Sequence, residues 1–316
     1  MTRPALTLNL RLKKPLARGI TSLKLLDPTI SDLAGLLTGV KPVTYTDYSK
    51  SDWPYIKGLC DALGLVYADP EAAAARRGKH LGSAPGGRKM LLLARKPGPL
   101  KAAVAAWGKS AIDRDWGLLL GYPECCVDAY IRWRTAFHLK KDLVRFTAEN
   151  SPAGAAWDFK LNNLVNYFSR VYGADERQSR LISDLNQRAG LLISIAHVAS
   201  WHSCSYLCKE SSKKAAAIYD FFVDYAPAYA AGLKRLLARP FLFVDKYDFM
   251  PLDKKNGTGW AFTYPALPLG LLSPARAAAL KKAGELKLAG SGLEVGCKAI
   301  KTGRPPIILN FSSRNL

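Results

Sequence analysis

The chain has 316 residues, 49% of them hydrophobic, which excludes a disordered protein and suffices for one large domain or two modest ones. Its formal charge of +21, from 46 Lys plus Arg against 25 Asp plus Glu, attracts polyanions, with nucleic acid or a phosphorylated substrate as the candidates. Six cysteines in a chain of this size, without a visible secretory signal, point away from a disulfide framework and toward thiols used as ligands or redox groups.

The opening residues, Met1-Thr-Arg-Pro-Ala-Leu-Thr-Leu-Asn-Leu, run into Arg11, Lys13 and Lys14 instead of a sustained apolar stretch, and a cytoplasmic location is the expectation. Residues 1–45 read as an accessory segment. A helical pattern covers Asp52 to Leu63, Gly64-Leu-Val-Tyr-Ala is a predicted strand, and Lys89 to Lys96 a stronger one after a Gly/Pro loop. Pro97-Gly-Pro opens an Ala-rich helix toward Trp107. From Asp113 to Pro240 the pattern is mostly helical, with long pieces predicted over Phe159 to Tyr172, Ser179 to Trp201 and Ser211 to Ala238, the last broken near Pro227. The apolar stretch Leu191 to Trp201 is far shorter than a membrane span and carries His197, so a buried helix is expected there and no membrane. Short β-type runs follow at Phe241-Leu-Phe-Val, Trp260-Ala-Phe-Thr-Tyr, Leu293-Glu-Val and Pro306-Ile-Ile-Leu-Asn-Phe. The expectation is an α+β protein with a mainly helical central region, a short N-terminal α/β part and a small C-terminal β-rich unit, divided into the accessory segment 1–45, an α/β to helical Cys/His site domain over 46–240 and a small β-rich unit over 241–316.

Basic residues are spread from Arg11 to Arg18, Arg76 to Lys79, Arg88 to Lys89, Lys213 to Lys214, Lys254 to Lys255 and Lys281 to Lys282, not gathered into one stripe. The Gly-rich segments beginning at Gly82 and Gly290 each run into a predicted strand, whereas a phosphate-binding loop follows a strand and opens a helix.

The informative segment is Trp116-Gly-Leu-Leu-Leu-Gly-Tyr-Pro-Glu-Cys-Cys-Val-Asp-Ala-Tyr. Gly121 can end one helix and Pro123 can sit in the first turn of the next. Cys125 and Cys126 then lie near a helix N-terminus, where backbone N–H groups and the helix dipole favour thiolate, the form that binds metal or attacks an electrophile. Adjacent helical residues point about 100° apart, so both sulfurs can reach a polynuclear cluster, or one ligates while the other reacts or packs. The second segment, Trp201-His-Ser-Cys-Ser-Tyr-Leu-Cys, carries His-x-Cys-x-x-x-Cys. Cys204 and Cys208, one helical turn apart, can converge on one face. An unbroken preceding helix would add His197 to that face; a break near Trp201 favours His202, the preferred histidine for its closeness to the pair. Four thiols and an imidazole suit soft, thiolate-preferring centres, an iron-sulfur cluster or zinc.

These motifs, Leu-Gly-Tyr-Pro-Glu-Cys-Cys-Val, then Asn-Asn-Leu-Val-Asn-Tyr-Phe, then His-Ser-Cys-Ser-Tyr-Leu-Cys-Lys-Glu-Ser, resemble those of an uncharacterised prokaryotic family, domain of unknown function 483. The resemblance covers about Asp113 to Ser212. Members often carry Pro before the first Cys of the second motif, where this chain has Ser203, a departure that removes no ligand. The resemblance implies co-location of the matching cysteines and histidine and no particular activity.

Near these thiols, Asn162, Asn163, Asn166 and Arg170 recur along a predicted helix with Asn163, Asn166 and Arg170 on one side, a face able to orient an anionic small-molecule substrate or simply a solvated surface. Glu124 and Asp128, one turn apart, are candidates for acid–base work or for support of the ligands. Cys60 and Cys297 read as packing residues. Three functions remain open: a metal- or iron-sulfur-dependent enzyme, a nucleic-acid-binding or RNA-modifying protein with a structural Cys/His site, and a metal-free thiol redox protein.

Overall fold

The structure is a computed structural model. It describes residues 30–75, 89–107, 113–137, 142–152, 156–164, 197–245, 248–252, 254–256, 259–261, 285–289, 292–295, 298–300 and 306–311. The architecture is α+β, helices accompanied by small sheets in which every described strand pairing is antiparallel. The N-terminal part, expected as α/β, is therefore antiparallel too. The chain divides into two compact units, residues 1–127 with 216–230, and residues 128–215 with 231–316.

The first unit is built on strands β1 (Val43–Tyr48), β2 (Val66–Ala68) and β3 (Lys89–Ala94), in the order β1-β3-β2. β3 takes the centre because its run Leu91-Leu-Leu-Ala is apolar on both faces, and all four residues are buried. One face packs Val43, Leu92 and Ala94 against Leu100 and Ala103, with Tyr45, Val66, Ala68, Val104 and Trp116 around them. Leu100 and Ala103 belong to a helix over Pro97–Ala106, opened by proline as expected. Helix α1 (Ile30–Thr38) precedes the sheet, and α2 (Trp53–Leu63) and α3 (Pro70–Ala75) interrupt its strands. The Pro97–Ala106 helix is α4, followed by α5 (Asp113–Leu119). Cys60 on α2 is 1% exposed, and desolvation raises its thiol pKa to about 11. It packs, as expected of a cysteine outside the ligand motifs.

Lys41 is 2% exposed. Its ammonium lies 2.7 Å from Asp32 of α1 and 4.6 Å above the Tyr122 ring, so a buried charge is matched by a carboxylate and an aromatic face.

The second unit includes most of helix α6 (Glu124–Phe137), then α7 (Leu143–Glu149) and a short 3-10 turn over Phe159–Leu161. Helices α8 (Lys209–Tyr225) and α9 (Pro227–Leu237) part at the proline expected to break them. Strands β4 (Pro240–Asp245), β5 (Asp248–Pro251) and β11 (Ile307–Asn310) form a sheet in the order β11-β4-β5. Phe241, Leu242, Phe243, Phe249, Leu309 and Phe311 are buried there. β6 (Lys254–Asn256), β7 (Gly259–Ala261), β8 (Glu285–Ala289), β9 (Gly292–Val295) and β10 (Lys298–Ile300) make a five-stranded meander. Among the described residues no helix is long and apolar enough to cross a membrane.

Two helices predicted from periodicity depart from the expectation where they can be followed. Phe159–Leu161 is a single 3-10 turn and Asn162 to Leu164 are irregular; His197 to Trp201 are irregular as well. Asn162 itself is held out of helical geometry, its side chain bonding elsewhere: Oδ1 accepts from the Leu164 N–H at 3.2 Å and Nδ2 donates to the Leu237 carbonyl at 2.9 Å.

The turn between α5 and α6 is fixed by Gly121 at φ 80°, with its N–H on the Leu118 carbonyl and the Tyr122 N–H on the Gly117 carbonyl, both at 2.9 Å. A Cβ at Gly121 would lie 2.4 Å from the Val40 carbonyl oxygen. Gly64, which ends α2 at φ 62°, has nothing within 4 Å of the same position. Gly64→Ala is expected to cost about 1 kcal/mol for its left-handed backbone alone, and Gly121→Ala about 3 kcal/mol because backbone must also shift. Denaturant unfolding of the two variants measures the difference.

Candidate metal centre

Helix α6 begins directly after Pro123, whose carbonyl accepts from the N–H groups of Cys126 at 2.9 Å and Val127 at 3.0 Å. The two cysteines thus occupy the first turn, at the positive end of the helix dipole. Their different directions give them different surroundings: Cys125 is exposed, whereas Cys126 is 2% exposed. Their sulfurs are 3.9 Å apart.

Cys204 and Cys208 sit in an irregular segment, with α8 starting only at Lys209. The expected helical turn between them is absent; a tight turn, Cys208 N–H to Ser205 carbonyl at 3.1 Å, achieves the convergence instead. Irregular buried backbone requires partners for its polar groups, and here they are specific. Ser151 Oγ accepts from the Tyr206 N–H at 2.8 Å and donates to the Thr147 carbonyl at 2.7 Å. Thr147 Oγ1 lies 3.0 Å from the carbonyls of Leu143 and Ser203. The Trp201 indole N–H donates to Ser211 Oγ at 2.9 Å, and the Asp158 N–H to the Tyr206 carbonyl at 3.2 Å. Tyr206, midway between the two cysteines, is 1% exposed; it stacks on Trp157 with ring centres 5.0 Å apart and meets the edge of Phe311 at 4.8 Å. Burial, with the Asp142 carboxylate nearby, raises its phenol pKa and keeps it protonated.

The sulfurs of Cys125, Cys126, Cys204 and Cys208 all lie within 4.8 Å of one another. These four thiols form a group able to hold a metal ion, bringing together the two segments singled out in the sequence.

The histidine expected beside them has another role on view. His202 Nδ1 is 3.1 Å from Asn163 Nδ2, an amide donor, which places the ring proton on Nε2. Desolvation lowers the imidazole pKa to about 4, so the ring is neutral. The converging group consists of the four thiols without His202. His197 is fully buried. Asn163, expected on an open polar face, is 2% exposed, and its amide also donates to the Trp201 carbonyl at 3.0 Å. Asn166 and Arg170 lie outside the described residues. Glu124 is exposed and ion-paired with Arg114 of α5, and Asp128 is partly buried one turn further along α6.

Comparison with protein families, with curated proteins and with solved structures found no match for this chain.

Thr147, Ser151, Trp157 and Tyr206, which hold the ligand segment in place, belong to no recognisable ligand or catalytic spacing in the sequence. The one local signal was a large aromatic between two cysteines, in a stretch where Ser203 and Ser205 compete with helical bonding. Asn163→Ala is expected to lower the unfolding free energy by about 2–4 kcal/mol, because a buried carbonyl and an imidazole nitrogen lose their donor together. Denaturant midpoints measured against wild type check this value.

Proposed function

We propose that the four thiolates hold one tetrahedral zinc ion, and that this ion is structural, fixing the Cys204–Cys208 segment to the first turn of α6. The observation that carries this reading is the mutual approach of all four sulfurs within 4.8 Å. A zinc–sulfur bond of about 2.3 Å gives a tetrahedron whose edges are about 3.8 Å, and the Cys125–Cys126 separation is 3.9 Å. Thiolates on a polynuclear iron-sulfur cluster are attached to different iron atoms and splay apart by the metal–metal separation. A set this tight suits a single centre. Soft thiolate donors select zinc, or iron in the same S4 geometry, over harder cations.

Four protein ligands close a tetrahedral site, so water or substrate gains a coordination position only if a thiolate leaves. That favours a structural ion over a hydrolytic one. Structural zinc contributes about 10–16 kcal/mol of apparent binding energy in small domains, comparable to a whole domain's stability.

Protein purified without oxygen is expected to contain one zinc per chain and no acid-labile sulfide. Cys204→Ala, Cys208→Ala and Cys126→Ala should each lose the ion, and chelation should lower the unfolding midpoint. Iron with sulfide would replace this reading with an iron-sulfur centre; metal-free protein of unchanged stability would replace it with thiol redox chemistry.

A second reading rests on the charge of +21: the metal-braced fold presents cations to a polyanion, RNA first. Arg132 and Arg134 on α6 and Lys209 and Lys213 on α8 are exposed on the two helices that flank the cysteine motifs. Affinity for an RNA oligonucleotide is expected to fall by roughly a hundredfold or more between about 50 and about 200 mM salt. Absence of binding at the lower concentration would remove this reading and leave the metal site untouched.

A further inference from the structure

The four sulfurs are close in space but unequal in access. Cys126 is 2% and Cys208 9% exposed, Cys204 is partly buried, and Cys125 alone among the four is exposed. A metal-bound thiolate stays deprotonated at neutral pH and keeps a lone pair, so access decides which ligand meets an electrophile first.

We propose that Cys125 is the reactive ligand of the centre: its thiolate attacks peroxide-class oxidants, a thiolate of the Cys204–Cys208 pair resolves the product, and the ion is released. The inference rests on the four-thiolate metal reading above. In the first step the Cys125 thiolate attacks one peroxide oxygen; a sulfur–oxygen bond forms, the oxygen–oxygen bond breaks and hydroxide leaves, giving a sulfenic acid. In the second, a neighbouring thiolate attacks that sulfur, forming a disulfide and expelling a second hydroxide. Two protons from solvent convert both hydroxides to water. Two thiolate sulfurs are oxidised by two electrons in total, and one peroxide is reduced.

The resolving thiol is not Cys126, although it is nearest in sequence. Adjacent Cα atoms across a trans peptide are about 3.8 Å apart, below the roughly 4.4 Å minimum usual for a disulfide. Cys204 and Cys208 come from a distant part of the sequence and are free of that restriction, with sulfurs within 4.8 Å of Cys125. Loss of two of four thiolates leaves too few ligands to retain zinc.

The test begins with full-length chain whose zinc content has been measured. A chain that binds no zinc overturns both the metal reading and this one. Zinc-loaded protein is then titrated with less than one equivalent of hydrogen peroxide while a chromophoric indicator reads free zinc and peptide mass mapping reads cysteine oxidation. Zinc release in step with a disulfide joining Cys125 to Cys204 or Cys208, reversed by reductant and added zinc, is the expected result. Cys125→Ser, if it retains zinc, should release it about tenfold more slowly under peroxide; the mapping on wild type stands if that variant does not fold. Zinc loss with Cys125 unmodified, or Cys125 oxidation with zinc retained, would overturn the assignment of the reactive ligand while leaving the metal site intact.

Discussion

The inward anchoring of Tyr206 is the contact on which the ligand segment depends. Between Cys204 and Cys208 the backbone has no helix or strand to organise it, and a segment of that kind is ordinarily mobile. Here a tyrosine ring is driven between Trp157 and Phe311, and aromatic pairs of this geometry contribute about 0.5–1.5 kcal/mol each beyond the area they bury. With the ring fixed, the cysteines on either side have a defined separation. The Ser151 and Thr147 side chains then satisfy the backbone groups that burial would leave without partners. A liganding loop pre-shaped in this way loses less conformational entropy when an ion arrives.

The first cysteine pair is placed by backbone geometry rather than by side-chain packing. Gly121 reverses the chain after α5 in a conformation few residues adopt, and the next helix starts three residues later. The close approach of Gly121 to Val40 and Lys41 makes the turn part of the first unit's interior. The helix phase then decides that one sulfur faces inward and the other outward. Unequal exposure of two neighbouring cysteines thus follows from the 100° step of the helix.

Much of this was legible locally. The buried run of β3, the prolines at 97, 123 and 227, and the helix-ending glycine at 121 are short-range signals whose meaning does not depend on distant residues. The pairing of the two cysteine segments was also legible, since thiols without a disulfide context call for a common task. What could not be read was set by partners far away in sequence. Asn162 leaves helical geometry to reach Leu237, and Asn163 turns inward to hold His202 and Trp201, so the polar face inferred from their spacing is not formed by them. Closeness to Cys204 in sequence points to His202 as a ligand, but its ring nitrogen lies against an amide 39 residues away. Cys204 and Cys208 converge through a turn, showing that a four-residue spacing brings side chains together in more than one backbone conformation.

The buried pair of Lys41 and Asp32 carries a consequence for how this sequence can vary. Removing Asp32 leaves the Lys41 charge against Tyr122 without this carboxylate, and removing Lys41 leaves the Asp32 carboxylate without this ammonium, at a cost of roughly 3–5 kcal/mol, whereas replacing both with apolar side chains of similar volume is close to neutral. The two positions are therefore free to change together and constrained against changing singly. Over evolutionary time residues 32 and 41 should exchange as a unit, and related chains should fall into two groups, one ionic and one apolar, with few intermediates.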